Sequence, residues 1–234
     1  GLLGLIAVVA IGASRWMVRP VRELAGAAGR LASGDLEARA EVHRHDELGD
    51  LATAFNEMVP QLADHMHVRE SLQLAREMQQ ALIPKSPPSI RGVEVCARAV
   101  YCDETGGDCY DAMSTEGGGA WLLIGDVTGH GVAAALMMST ARALIRAGAE
   151  LGEPIESVLA AADRRLFEDT PTSKFMSLFF LDVAPDRGRI RWVSAGHDPA
   201  LLVPADGGPV EEIEGDDMLL GIGGDQEFTV LERG

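Results

Sequence analysis

Trp121-Leu-Leu-Ile-Gly-Asp-Val-Thr-Gly-His-Gly131 is the stretch of sequence that decides the fold of this chain. It opens with a short apolar run, Trp121 to Ile124, which predicts a buried strand. Asp126 then lies at the end of that strand beside Gly125, and glycine lets a backbone turn sharply and approach a ligand closely. The stretch therefore predicts a carboxylate presented at the edge of a sheet.

A second Asp-bearing block, Glu104-Thr-Gly-Gly-Asp-Cys-Tyr-Asp111, precedes this strand. It follows the apolar run 93–100, which we expect to be a strand, so Asp108 can reach the same sheet edge as Asp126. Two carboxylates in one polar cleft repel each other unless one takes a proton or a cation lies between them. Oxygen ligands favour Mg²⁺ or Mn²⁺ over zinc. One Asp-Gly pair usually marks only a turn, but two such blocks one strand apart predict a metal site.

Both blocks resemble the signature motifs of the metal-dependent (PPM) serine/threonine phosphatases of the SpoIIE/RsbU branch. Three further segments agree with that branch: Ala75-Arg-Glu-Met-Gln-Gln-Ala-Leu-Ile-Pro84, Phe175-Met-Ser-Leu-Phe-Phe-Leu-Asp-Val183 and Ser194-Ala-Gly-His-Asp-Pro199. The order of strands, two helices from Val132 and Ile155, and further strands predicts an α+β fold. The resemblance implies the α/β/β/α sandwich of PPM phosphatases over residues 85–234.

The resemblance also implies roles for three residues. Asp108 would hold one metal ion, Asp126 would bridge two Mn²⁺ or Mg²⁺ ions, and the Val127 carbonyl would complete the second site. A water activated by both ions would attack phosphoserine or phosphothreonine. The family's further metal-binding aspartates come from Asp-Gly-Leu/Val-x-Glu-Ala-Arg and Asp-Asp-x-Thr segments, which do not occur in this sequence. The family would continue into the first of them at about Gly234, so we expect the sandwich and the metal site to be incomplete here.

Three neighbouring residues have roles that the sequence leaves open. Asp111 is a candidate outer partner that holds a metal ligand or a water in place. His130 could orient the substrate or a water, although a histidine in a glycine-flanked loop more often supports the backbone. His197 lies in the third of the agreeing segments, where Ser194 and Asp198 replace two asparagines of the family.

Charge and cysteine content exclude other classes of protein. The chain carries 36 acidic and 20 basic residues, a net charge of −16, and nearly all of the excess lies in residues 92–234. This charge argues against nucleic-acid binding, which requires positive charge. Cys96, Cys102 and Cys109 form no Cys-x-x-Cys pair, so we expect reduced thiols.

The first residues of the chain predict a link to a membrane. The apolar run 1–13, followed by Arg15, Trp16 and Arg19, is typical of the cytoplasmic end of a transmembrane helix. We assign residues 1–18 to that helix end. A signal-peptide core or a buried helix is the alternative interpretation.

Residues 19–66 predict two parallel helices with coiled-coil seams. Apolar residues recur at spacings of three and four, as coiled coils require: Val21, Leu24, Ala28 and Leu31, then Leu48, Leu51, Phe55, Met58 and Leu62. With Arg19-Pro20 and Asp46-Glu-Leu-Gly-Asp-Leu-Ala-Thr-Ala-Phe-Asn-Glu-Met58, they resemble the HAMP signalling module. Amphipathic helices packed on the catalytic part are the alternative. Residues 67–84 predict a linker helix. The coiled-coil seam of the preceding residues changes phase after Pro60, before this linker begins.

These features together predict a protein phosphatase tethered to the inner (cell) membrane, with its catalytic part in the cytoplasm. It would form a homodimer through the HAMP and linker helices. By resemblance, its substrate would be a phosphorylated anti-anti-sigma protein with a STAS domain. Two alternatives stay open. One is a phosphatase-like domain that has lost catalysis and sequesters a partner. The other is a diguanylate cyclase, because Gly106-Gly-Asp-Cys-Tyr110 is similar to that family's Gly-Gly-Asp-Glu-Phe motif.

Overall fold

The computed structural model describes residues 1–4, 11–12, 14–84, 93–100, 106–115, 118–170, 173–184 and 188–234. The chain divides into two compact units, Gly1–Ser71 and Leu72–Gly234. The predictions that concern residues 5–10, 85–92 and 101–105, including Cys102 and Glu104, lie outside the described residues.

Two helices and an irregular connector build the first unit. A π-helical segment, Ser14–Val18, leads into α1 (Arg19–Ala32), and α2 begins at Glu47. Helix α1 ends where the sequence predicts, just before Gly34, whose φ of 98° suits glycine. The Asn56 side chain holds the connector: it accepts a hydrogen bond from the Ala40 N–H at 2.8 Å and donates one to the Ala40 carbonyl at 3.1 Å.

Helix α2 (Glu47–Leu82) contributes residues to both units and continues through Pro60. It ends at Leu82, two residues before Pro84, because proline is unfavourable inside a helix. Much of the expected coiled-coil seam is exposed in the single chain: Val21 by 51%, Leu51 by 56%, Met58 by 48% and Leu62 by 40%.

An antiparallel sheet forms the centre of the second unit. Its strands are β1 (Cys109–Ser114), β2 (Ala120–Val127), β3 (Met176–Val183), β4 (Ile190–Ala195) and β7 (Leu231–Arg233), in that spatial order. Strands β5 (Ala200–Leu202) and β6 (Glu211–Ile213) pair separately as a small second sheet. The sequence predicts strands over residues 175–183, 189–194, 201–204 and 210–213, which β3 to β6 match closely, whereas it does not predict β7.

Helices α3 (Val132–Leu151) and α4 (Ile155–Asp169) pack on one face of this sheet. Helix α3 lies between Gly131 and Gly152, whose φ values of 80° and 69° mark its two ends. The core beneath these helices includes Phe180, which is fully buried and meets Trp121 edge-to-face at 5.1 Å between ring centroids. An antiparallel sheet covered by helices is the α+β class that the sequence predicts.

The strand predicted for residues 93–100 is wrong. Residues 94–100 form no regular strand. They alternate only weakly between partly buried and exposed positions, and Val100 is 73% exposed. A strand requires a hydrogen-bonded neighbour, and β1, not this segment, pairs with β2 at that edge.

Candidate active site

Asp126 is the penultimate residue of β2 and lies opposite Ser177 of β3. Side chains alternate across a strand, so Asp126 and Ser177 lie on the face of the sheet opposite to α3 and α4. Gly125 faces the core, where an added Cβ would lie 2.4 Å from Met176 Cε and 2.8 Å from the Ser177 carbonyl oxygen. Strand pairing this close to Asp126 therefore requires glycine at position 125.

Asp108 reaches the same edge because β1 pairs with β2. Cys109 is the register partner of Gly125, so Asp108 and Asp126 stand side by side at the end of the two strands. Gly107 packs against the backbone that follows Asp126: an added Cβ there would lie 2.5 Å from the Val127 carbonyl oxygen. The fold thus brings together Asp108, Asp126 and the Val127 backbone, the three residues that the sequence selects as a group.

The Asp108 carboxylate influences the ionisation of Asp126. Partial burial raises the pKa of Asp126, and the hydrogen bond and negative charge of Asp108 raise it further, while the nearby His197 lowers it. Both side chains remain accessible to solvent. A carboxylate that resists ionisation beside another carboxylate is a favourable partner for a cation.

His197 belongs to this site as well. It follows β4 through Gly196, whose φ is 60°, and its Nδ1 lies 2.8 Å from the Ser177 hydroxyl oxygen. Ser177 is the register partner of Asp126, so β3 connects the histidine to the carboxylate pair. The sequence marks His197 through its motif but does not give this contact.

Lys174 lies at the site, and the sequence analysis missed it. Its ammonium donates a hydrogen bond of 2.8 Å to the carbonyl of Thr128, which lies two residues after Asp126. The Phe175 N–H donates to Thr128 Oγ1 at 3.1 Å, and the Thr128 N–H donates to the Phe175 carbonyl at 2.9 Å. No motif indicates Lys174, because only the pairing of β2 with β3 brings it to this loop. His130 is exposed in the same loop.

Asp111 does not lie with the pair. It is 2% exposed on the helix side of β1 and accepts two hydrogen bonds of 2.6 Å from Arg146 on α3. Arg142 Nε lies 2.9 Å from the same carboxylate. Asp111 therefore joins β1 to α3. No contact of Asp111 among the described residues supports a role in holding a metal ligand or a water. Alternation along β1 explains this, because Asp111 and the buried Cys109 point away from the face of Asp126.

The donor atoms at the sheet edge fit a hard divalent cation in kind. They are carboxylate oxygens with a backbone carbonyl nearby, and Mg²⁺ and Mn²⁺ prefer oxygen ligands. Within the described ranges, no group of three or more His, Cys, Asp or Glu residues could hold a metal ion. The described residues therefore bring two carboxylates to the site.

Comparisons with solved structures identify the fold. The SiaA-PP2C domain of Pseudomonas aeruginosa shares the fold, with a TM-score of 0.56 and 22% identity over 73% of this chain and 68% of that one. The RsbU and RsbW domains of a Mycobacterium tuberculosis protein match with a TM-score of 0.50 and 32% identity, over 58% of this chain and 37% of that one. The fold is thus that of PP2C-type phosphatase domains.

Models of protein families identify the family of this chain. The model for Stage II sporulation protein E (SpoIIE) matches residues 116–233, and the HAMP domain model matches residues 12–64. The chain belongs to the SpoIIE family and carries a HAMP domain, which confirms both resemblances. Phosphoserine phosphatase RsbU of Bacillus subtilis (strain 168) is 24% identical over 166 residues, 71% of this chain. The chain spans 49% of RsbU and 40% of Protein IcfG of Synechocystis.

One described helix, Val132–Leu151, is long and apolar enough to cross a membrane. It is α3, which supplies Met138, Ala141 and Ile145 to the core of the second unit. Its composition is therefore that of a core helix. The predicted membrane segment at residues 1–18 falls partly outside the described residues.

Proposed function

We propose that this chain is the signalling and catalytic part of a metal-dependent protein phosphatase that hydrolyses phosphoserine or phosphothreonine. The observation that carries the proposal is the pairing of β1 with β2, which places Asp108 beside Asp126 at the end of the two strands. Membership in the SpoIIE family supports it, as does the similarity to a relative named phosphoserine phosphatase.

In this proposal Asp108, Asp126 and the Val127 carbonyl hold two Mn²⁺ or Mg²⁺ ions together with ligands from outside the described residues. When bound, such ions supply Lewis acidity that activates water and neutralises phosphoryl oxygens. The chain's own residues prepare the site. The register of β1 with β2 holds the two aspartates side by side, and the hydrogen bond between Ser177 and His197 fixes an imidazole near Asp126.

We further propose that the protein works at the inner face of the cell membrane as a homodimer, with a phosphorylated STAS-domain protein as substrate. The HAMP match supports a signalling role. The exposed apolar seam of α1 and α2 supports pairing with a second copy, because coiled-coil seams are buried only between helices. The assignment of residues 1–18, 19–66, 67–84 and 85–234 as membrane end, HAMP module, linker and phosphatase domain is part of this proposal.

The test is Mn²⁺-dependent dephosphorylation of a phosphoserine STAS protein by the full-length gene product. We expect Asp126→Asn to abolish turnover. Asp225→Asn is the matched control, since it makes the same change of charge at an exposed position away from the pair, and it should retain wild-type turnover. Undiminished activity of Asp126→Asn would refute the proposed site.

The alternative is a phosphatase-like domain that binds and sequesters a signalling partner without catalysis. It is favoured by one observation, that no group of three or more His, Cys, Asp or Glu side chains among the described residues could hold a metal ion. The two functions differ in metal dependence. Binding of the phosphorylated partner that is unaffected by Mn²⁺ or by Asp126→Asn, with no turnover, would identify the sequestering domain.

A further inference from the structure

Gln79 is a buried polar residue at the end of a surface helix. It lies in the last turn of α2 and is 4% exposed, whereas its neighbour Gln80 is exposed. Its side-chain amide pairs with the backbone of Gly106: Nε2 donates to the Gly106 carbonyl at 2.5 Å, and Oε1 accepts from the Gly106 N–H at 3.2 Å. Burying an amide is costly unless both of its ends are hydrogen-bonded, and Gly106 satisfies both.

This contact stands two residues before Asp108. On the other side of Asp108, the Tyr110 hydroxyl donates a hydrogen bond to the Pro84 carbonyl at 3.2 Å. The segment 106–110 is therefore fixed at both ends by the end of α2 and the residues that follow it. Between the two anchors, Gly107 is pressed against the Val127 carbonyl, leaving no room for a side chain.

The last two turns of α2 also face the start of α3, the helix that follows the Asp126 block. A cavity of about 230 Å³ lies between them, lined by Gln79 itself, by Ala75, Met78 and Leu82 on α2 and by Val132, Ala135, Leu136 and Ser139 on α3. The hydrogen bonds of Gln79 to Gly106 and of Tyr110 to Pro84 are thus the directional contacts that tie the segment 106–110 to the end of α2 and to Pro84.

We infer that Gln79 is a positioning residue for the candidate metal site: its amide holds the Gly106–Gly107 backbone so that Asp108 meets Asp126. This inference rests on the proposed function of the carboxylate pair. Gln79 touches neither carboxylate and acts only through the backbone of Gly106. Removing the amide should weaken cation binding while leaving the sheet and its helices folded.

The experiment compares Gln79→Met with Gln80→Met in the full-length gene product. Methionine keeps the length and straight shape of glutamine but can neither donate nor accept these hydrogen bonds effectively. We expect Gln79→Met to raise the Kd for Mn²⁺ about tenfold, as loss of an outer support of a metal site typically does. The substitution Gln80→Met, at an exposed position, should leave Kd unchanged. Electron paramagnetic resonance of free Mn²⁺ measures both values without any turnover.

A second readout separates positioning from a general loss of stability. Hydrogen exchange of the metal-free protein should quicken at the amides of Gly106 and Asp108 in Gln79→Met. Exchange at the central β3 amides, such as that of Phe180, should stay as slow as in the wild type. Faster exchange throughout the second unit would instead mean that Gln79 only stabilises the fold, and the inference would be overturned.

Asp126→Asn distinguishes failure of this inference from failure of the proposed function. If Asp126→Asn weakens Mn²⁺ binding but Gln79→Met does not, the metal site stands and Gln79 does not position it. If neither change weakens Mn²⁺ binding, the proposed function fails and the inference fails with it. If both weaken it and Gln80→Met does not, both are supported.

Discussion

The ion pair of Asp111 with α3 yields the sharpest expectation for stability. The Asp111 carboxylate is completely buried, while the Arg142 and Arg146 side chains that contact it are 12% and 35% exposed. Burial lowers the pKa of Arg142 and the charge of Asp111 raises it, whereas the hydrogen bond that Arg146 donates to Asp111 raises the pKa of Arg146. Asp111→Ala would therefore leave two guanidinium groups at the helix–sheet junction without their shared carboxylate.

Removing one partner of a buried ion pair costs about 3–5 kcal/mol, because the other charge stays buried. Water reaches part of Arg146, so we expect the lower end, about 3 kcal/mol. For a unit of this size each kcal/mol lowers Tm by roughly 2–4 °C, which gives a decrease of about 6–12 °C. The free energy of unfolding is measured by urea titration. A Trp16→Phe background restricts tryptophan fluorescence to the second unit.

Asp182 supplies the matched control for this measurement. It accepts hydrogen bonds of 2.9 and 2.5 Å from Arg191, but the Arg191 side chain is 40% exposed. Water can solvate that arginine after Asp182→Ala, so the loss should be about 1 kcal/mol or less. The reasoning is refuted if Asp111→Ala costs no more than Asp182→Ala. It is also refuted if Asp111→Ala weakens Mn²⁺ binding without loss of stability, since that result would place Asp111 in the metal site.

Three further expectations follow from other contacts. Gly148→Ala should lower the free energy of unfolding, because the new Cβ would lie 2.3 Å from Val158 Cγ2. The overpacking cost of about 1–3 kcal/mol outweighs the roughly 1 kcal/mol gained in helix propensity. Adding Val158→Ala to the same chain should restore stability. Iodoacetamide at pH 8 should label the exposed Cys96 and spare Cys109 until the protein unfolds, because burial and then the charge of Asp111 raise the pKa of Cys109 to about 12. Peptide mass spectrometry measures the labelling, and equal labelling of both cysteines in the native protein would contradict the burial of Cys109. Leu51→Glu should dissociate the proposed dimer in analytical ultracentrifugation, since it places a charge on the exposed apolar seam, and an unchanged mass would exclude that seam as the interface.

The sequence predicted those helices and strands whose signals lie within a few neighbouring residues. The sequence predicts α3 over residues 132–151, the bounds that the structure has, because glycines mark both ends and an apolar pattern lies between them. Strand β2 was found from its apolar run. Residues 93–100 show the limit of this reasoning, because an extended pattern becomes a strand only where another strand is free to pair with it.

Only those residues of the candidate site that lie within a motif could be predicted from the sequence. Asp108, Asp126 and Val127 are adjacent in space because β1 pairs with β2 in a fixed register. Lys174 and Gln79 lie 46 and 27 residues from their hydrogen-bond partners, and neither partner is indicated by local spacing. Asp111 was placed at the site from its nearness in sequence, but strand alternation sends its side chain to the opposite face.

The measurement that tests the account most directly is Mn²⁺ binding by the full-length protein with Asp108→Asn, Asp126→Asn and both changes together. Carboxylates that hold one cation site act as a unit, so their effects should not add. We expect each single change to weaken binding strongly and the double change to weaken it little further. Wild-type affinity in Asp126→Asn, or strictly additive losses, would contradict a shared site and with it the phosphatase function proposed for this chain.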